Sequence, residues 1–324
     1  MRSAIVGIDI AKQSFDVCLL VEQRQFHKKF ENSPKGFTKL LSWLGQHDVE
    51  QIHACMEATS SYGYALAEML HQRGDVISIV NAARIHAFGQ SLMQRTKTDK
   101  ADARVIALFC QQQKPEPWVP PAPEVAELQA LVRHLDALMV DRQQQANRLE
   151  DTRLPKKVTE SIAAILKVLD EQINDLRKSI QRHIDQYPGL RKQQDLLTSI
   201  PGIGSLTAAK LLGEIVAFTR YATASKVVAY AGLSPSARES GSSVRGRGRI
   251  SKKGNAHLRK ALFMPALVAL RHNPLVQQLR DRLIAKGKRK LQIVVAAMRK
   301  LLVLAYGVLK SQQAFNTKFI IDNA

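Results

Sequence analysis

Between Lys114 and Pro123 the chain reads Lys-Pro-Glu-Pro-Trp-Val-Pro-Pro-Ala-Pro, and five of its twelve prolines fall in that one stretch. Proline has no amide hydrogen and clashes with the preceding helical turn, so neither a helix nor a central strand can cross it. The chain must fold as separate parts on either side, and at 324 residues it is long enough for two or three domains. Charge divides in nearly the same place. Residues 1–150 carry 17 basic and 17 acidic residues, whereas residues 151–324 carry 31 basic and 11 acidic, so the formal net charge of +20 lies wholly in the second part. From Arg238 to Lys300 there are 17 basic residues and two acids, Glu239 and Asp281. A polyanionic partner is expected there, because each phosphate neutralised by Lys or Arg releases condensed counterions. The 45% hydrophobic content excludes a disordered basic tail.

A membrane surface is the competing polyanion, but the basic residues are not confined to one amphipathic helix. The longest apolar stretch, Leu291 to Leu309, carries Arg299 and Lys300 at its centre, which argues against a spanning helix. Met-Arg-Ser-Ala leads straight into a strand-like run with none of the layout of a signal peptide. Cys18, Cys55 and Cys110 have no metal-like spacing and are expected to be reduced core thiols.

In the first part, Ala4 to Ile10, Phe15 to Leu20 and Arg24 to Phe30 read as strands. Ser33-Pro34-Lys35-Gly36 opens a helix carrying Phe37, Leu40, Leu41 and Leu44. A fourth strand, Gln51 to Met56, leads into Glu57; a helix from about Tyr62 to Arg73 and a fifth strand, Val76 to Val80, follow, with further helices from about Ala82 and near Thr98. Three strands followed by strands alternating with helices is the order of a ribonuclease-H-like α/β domain. Four acids stand out. Asp9 interrupts a buried-looking strand, Glu57 follows the fourth strand, and Asp99 and Asp102 share a face at a helix start. The first and fourth strands are neighbours in such a sheet, so Asp9 is expected beside Glu57, with a helix supplying the other two. Four oxygen ligands suit two Mg²⁺ ions (or Mn²⁺) about 3.5–4 Å apart, the arrangement that clamps attacking and leaving oxygens in phosphoryl transfer.

After the prolines come two long helices. Val158, Ile162, Ile165, Leu169, Ile173, Leu176, Ile180 and Ile184 lie three or four apart, which predicts a narrow coiled-coil seam in a spacer or oligomerisation arm. We place the domains at 1–118, 119–190 and 191–324. The last is expected to be mainly helical. In it, Ile200-Pro201-Gly202-Ile203-Gly204 followed by an Ala/Leu helix resembles the helix-hairpin-helix motif, whose glycines let the backbone approach a phosphate. A basic loop follows, with Arg238, Arg245, Arg247, Arg249, Lys252 and Lys253, then Arg259 and Lys260 on the next helix. Guanidinium groups suit bidentate contact with phosphate, and a loop serine could serve as nucleophile. Residue types alone do not choose among Ser240, Ser242 and Ser243. Phe263 and Met264 read as core.

Taken together these segments resemble the DEDD-type insertion-sequence transposases (the IS-one-ten family), bridge-RNA-guided serine recombinases. The carriers are Gly7-Ile8-Asp9-Ile10-Ala11-Lys12, Met56-Glu57-Ala58-Thr59, Lys97-Thr98-Asp99-Lys100-Ala101-Asp102-Ala103-Arg104, Ile200 to Gly204, Ala231-Gly232-Leu233-Ser234-Pro235 and Ser240-Gly241. The resemblance implies a resolvase-like (RuvC-like) first domain whose Asp9, Glu57, Asp99 and Asp102 bind metal. It implies a nucleophilic serine in a Ser-Gly pair, which matches Ser240. It also implies a covalent phosphoserine, a guide RNA pairing with target and donor DNA, homo-oligomeric assembly (dimer or tetramer), and work on the nucleoid of a prokaryotic cytoplasm. A metal-dependent junction resolvase or repair nuclease that activates water is the enzymatic alternative, and a structural nucleic-acid-binding protein the non-enzymatic one.

Overall fold

The computed structural model describes residues 3–58, 61–93, 98–215, 221–236, 239–240, 244–245 and 249–317. The chain divides within the proline stretch into two compact units, Met1–Pro120 and Pro121–Ala324.

The first unit is an α/β sandwich. Its elements run β1 (Ser3–Ile10), β2 (Ser14–Val21), β3 (Arg24–Glu31), α1 (Pro34–Gly45), β4 (Gln51–Glu57), α2 (Tyr64–Gln72), β5 (Val76–Val80), α3 (Ala82–Ser91) and α4 (Asp99–Gln113). The helix expected from Tyr62 begins two residues later, because Ser61–Gly63 forms a tight 3-10 turn. The sheet order is β3-β2-β1-β4-β5, with β1, β2 and β3 antiparallel and β4 and β5 parallel to β1. The expected neighbours, the first and fourth strands, are adjacent and parallel. Alternation along β1 sets its two faces. Val6 and Ile8 are fully buried in a core with Phe15, Leu40, Leu44, Leu66 and Leu70, whereas Gly7 and Asp9 face the other way.

On that second face α4 lies directly on the sheet. Ala103, Ala107 and Cys18 pack together fully buried, and a β-carbon on Gly7 would overlap the Ala103 carbonyl and the Ala107 amide. Small residues on strand and helix are what permit the approach. Gly7→Ala is therefore expected to destabilise the protein by at least about 3 kcal/mol, because the obstruction is backbone and the helix must shift; urea titration of the variant checks this.

The second unit is helical. An antiparallel pair, α5 (Pro123–Leu149) and α6 (Lys156–Gln186), precedes α7 (Pro188–Thr198), α8 (Ser205–Glu214) and α9 (Ala224–Tyr230). Two-residue strands β6 (Pro235–Ser236), β7 (Glu239–Ser240), β8 (Val244–Arg245) and β9 (Arg249–Ile250) form small ladders before α10 (Ala256–His272), α11 (Pro274–Ala285) and α12 (Lys290–Ser311). Leu128, Val132 and Leu135 of α5 and Ile173, Ile180 and Ile184 of α6 belong to one core with α7–α10 and α12. The helix α12 is long and apolar enough to cross a membrane, yet Ala297, Leu301, Leu302 and Ala305 are fully buried in that core. Met264 and Phe263 are 63% and 39% exposed, against the expectation that they pack inside. The packed stripe of α10 is instead Leu258, Ala261, Leu262, Ala266 and Ala269, spaced by three and four, which puts residues 263 and 264 on the outer face. The three cysteines are buried and unbridged.

Candidate active site

Asp9 and Glu57 each follow a paired residue of adjacent parallel strands: Ile8 lies opposite Met56. Gly7 pairs with Cys55, so Asp9 and Glu57, two residues further along each strand, sit on the face that α4 covers. Thr98 caps α4, its hydroxyl accepting the Ala101 amide at 3.2 Å, and this puts Asp99 and Asp102 in the first turn over the same end of the sheet. The convergence leaves an electrostatic trace. Burial, then repulsion from Asp102, Asp99 and Asp16, pushes the Asp9 carboxyl up from 3.8 to about 6, with Lys29 pulling the other way.

Asp16 is the residue that sequence reasoning missed. It stands opposite Asp9 in β2 and its side chain is only 7% exposed. Its oxygens meet His27 Nε2 at 2.8 Å and Lys29 Nζ at 3.2 Å, and the same ammonium lies 3.4 Å from Asp99. A buried charge needs such partners. The available signal was a carboxylate between Phe15 and Val17, the same interruption of an apolar run that singled out Asp9.

Among the described residues, no group of three or more His, Cys, Asp or Glu is drawn close enough to hold a metal ion. The donors are nevertheless all carboxylate oxygens, the chemistry that hard divalent cations select.

In the second unit, the α7–α8 turn puts Gly202 at φ +105°, and a β-carbon there would sit 2.8 Å from that of Ala269. Gly202 is thus required by packing on α10 as well as by the turn, while Gly204 is exposed and starts α8 without a side-chain cap. The basic loop springs from a braced base. Pro235 pairs with Ile250, the Ser251 amide donates to Ser234 O at 2.9 Å, and Arg259 Nη1 donates to Ala231 O and Gly254 O at 2.9 and 3.0 Å. Arg259 therefore ties the two roots of the loop, whereas Lys252, Lys253 and Lys260 are exposed. Asn255 caps α10 and donates at 2.8 Å to Glu214, which Arg133 grips with two bonds of 2.7 and 3.0 Å. Burial pushes the Glu214 carboxyl up, but these bonds outweigh it and hold it below its usual range. Ser240 pairs with Val244 in the β7–β8 ladder, Arg245 lies beside Val244 in β8, and Arg249 lies in the separate β6–β9 ladder. Arg238 and Arg247, like Ser242 and Ser243, lie outside the described residues.

Residues 6–152 match the DEDD transposase profile of IS110 elements, and residues 194–281 match that of the transposase IS116/IS110/IS902 family. The first match carries all four acids and the second carries the α7–α8 turn and the basic loop. The chain is 34% identical to the pilin gene-inverting protein of Moraxella bovis over 98% of its own length and 99% of the relative's. The Moraxella lacunata protein of the same name is similar to the same degree. The insertion element IS110 uncharacterized 43.6 kDa protein of Streptomyces coelicolor is 29% identical over 50% of this chain and 38% of that protein.

Proposed function

The chain belongs to the IS110 family of insertion-element transposases and is a DNA recombinase, and we propose that it cuts and rejoins DNA with a carboxylate set on one unit and a serine on the other. The observation that carries this is the placing of Asp9, Asp99 and Asp102 at one end of the sheet, where burial first and then the neighbouring acids push Asp9 up to about 6. Asp9, Glu57, Asp99 and Asp102 would hold Mg²⁺ or Mn²⁺, which when bound neutralises charge developing on a phosphate.

In the cleavage step, Ser240 Oγ attacks a DNA phosphorus. One deoxyribose oxygen leaves and takes up the serine's proton as a hydroxyl, and a phosphoserine diester remains. Rejoining is the reverse attack by a deoxyribose hydroxyl, so bond energy is conserved. Arg245, Arg249, Lys252, Lys253 and Lys260, with Arg238 and Arg247, grip the DNA backbone, and the exposed α8 start beside Gly204 offers amides to a further phosphate in helix-hairpin-helix fashion. Contacts of this kind carry little sequence information, which suits a guide RNA that pairs with target and donor DNA. The α5–α6 pair acts as a coiled-coil arm in a homo-oligomer, and the protein works on the nucleoid of a prokaryotic cytoplasm. Relatives named for pilin gene inversion and for insertion elements both fit strand exchange without loss of DNA.

Two measurements test this reading. Cleavage of target DNA by protein purified with its bound RNA is expected to stop in EDTA and return with Mn²⁺; undiminished cleavage in EDTA would contradict the metal. Sequencing the copurifying RNA is expected to give one defined species from the element, whereas a random mixture would contradict guidance.

A further inference from the structure

Asp9, Asp16 and Lys29 form one row across β1, β2 and β3: Asp9 lies opposite Asp16, and Asp16 opposite Lys29. Directly opposed residues of neighbouring strands share a face, so the row reads acid, acid, base beneath the start of α4. The Lys29 ammonium reaches Oδ2 of Asp16 at 3.2 Å and Oδ2 of Asp99 at 3.4 Å. One cation on an edge strand thus ties the sheet to the first turn of the helix. Asp16 is buried and held from its other oxygen by His27 at 2.8 Å, which leaves Lys29 and Asp99 as the adjustable partners, 53% and 68% exposed at the side chain.

We propose that Lys29 is a built-in counter-cation of the carboxylate site. It holds Asp99 toward Asp16 while no divalent ion is bound, and it gives Asp99 up when one arrives. Lys29 and Asp16 are positioning residues in this scheme: neither needs to touch DNA. The inference rests on the reading of the acids as a divalent-cation site. It has a consequence of opposite sign for the two residues. A neutral side chain at 29 removes both the competitor for Asp99 and a positive charge beside the incoming ion, so the ion binds more tightly. Asp16→Asn leaves Lys29 with Asp99 as its one partner of the pair and removes a nearby negative charge, so the ion binds more weakly. A purely structural role for the network predicts weaker binding in both.

The test is Mn²⁺ titration of the full-length protein by calorimetry, with electron paramagnetic resonance of free Mn²⁺ as a second readout. Lys29→Met and Lys29→Gln are expected to bind Mn²⁺ about twofold to fivefold more tightly, the scale of a partly exposed ion pair. Lys29→Arg is expected to restore wild-type affinity, and Asp16→Asn to weaken binding by about the same factor. Wild-type binding with no tightening in both neutral variants would overturn this inference alone. A wild type that binds no Mn²⁺ would overturn the metal site and this inference with it.

Discussion

Asp9→Asn is expected to abolish strand cleavage and, at the same time, to make the metal-free protein more stable. Loss of cleavage by at least about a hundredfold follows if Asp9 binds the catalytic ion. The stability gain follows from the electrostatics. In the folded protein Asp9 takes up its proton at about 6 rather than 3.8, because burial and three neighbouring aspartates oppose its charge. Between these values the folded state holds more protons than the unfolded one, so stability falls as pH rises and the whole penalty is present above about 6. A two-unit shift corresponds to about 3 kcal/mol, and solvent screening of this half-buried group brings it to about 1–2 kcal/mol. Asparagine keeps the shape and removes the charge. Denaturant titration in EDTA should therefore find Asp9→Asn more stable than wild type at pH 8, with the difference shrinking by pH 5. A variant less stable than wild type at pH 8 would contradict the account.

Ser240→Ala is expected to stop cleavage entirely within measurement, a loss of about a thousandfold or more, because the attacking oxygen itself is gone. The fold should be untouched, since the β7–β8 ladder that carries Ser240 is made of backbone bonds. Ser242→Ala and Ser243→Ala are the controls and should retain activity. Circular dichroism and single-turnover cleavage of the three variants separate a lost nucleophile from a damaged loop.

The legible parts of this chain were those written in local pattern. The proline stretch marked the break between units, and apolar runs carried the five strands. Asp9 stood out because a charge sat inside such a run. Asp16 sits in a similar run, but its burial and its bonds to His27 and Lys29 come from tertiary packing that local pattern does not carry. Phe263 and Met264 misled for the converse reason. Apolar character identified a helix but not its packed stripe, and the small residues Ala261, Ala266 and Ala269 are what meet the core. The link that Lys29 makes between Asp16 and Asp99 was not legible either, because spacing shows which acids share a face but not which cation the packing brings to them.

Carboxylates of a neutral unit and a serine of a basic unit serve one covalent reaction in this scheme. Incubating the RNA-loaded protein with labelled DNA and Mg²⁺, denaturing it, and mapping the DNA-linked peptide by mass spectrometry tests this most directly. A denaturation-resistant adduct at Ser240 is expected, which EDTA, Asp9→Asn and Ser240→Ala each eliminate. Cleavage products from the Ser240→Ala protein with no adduct on any residue would contradict it and identify a nuclease that uses water.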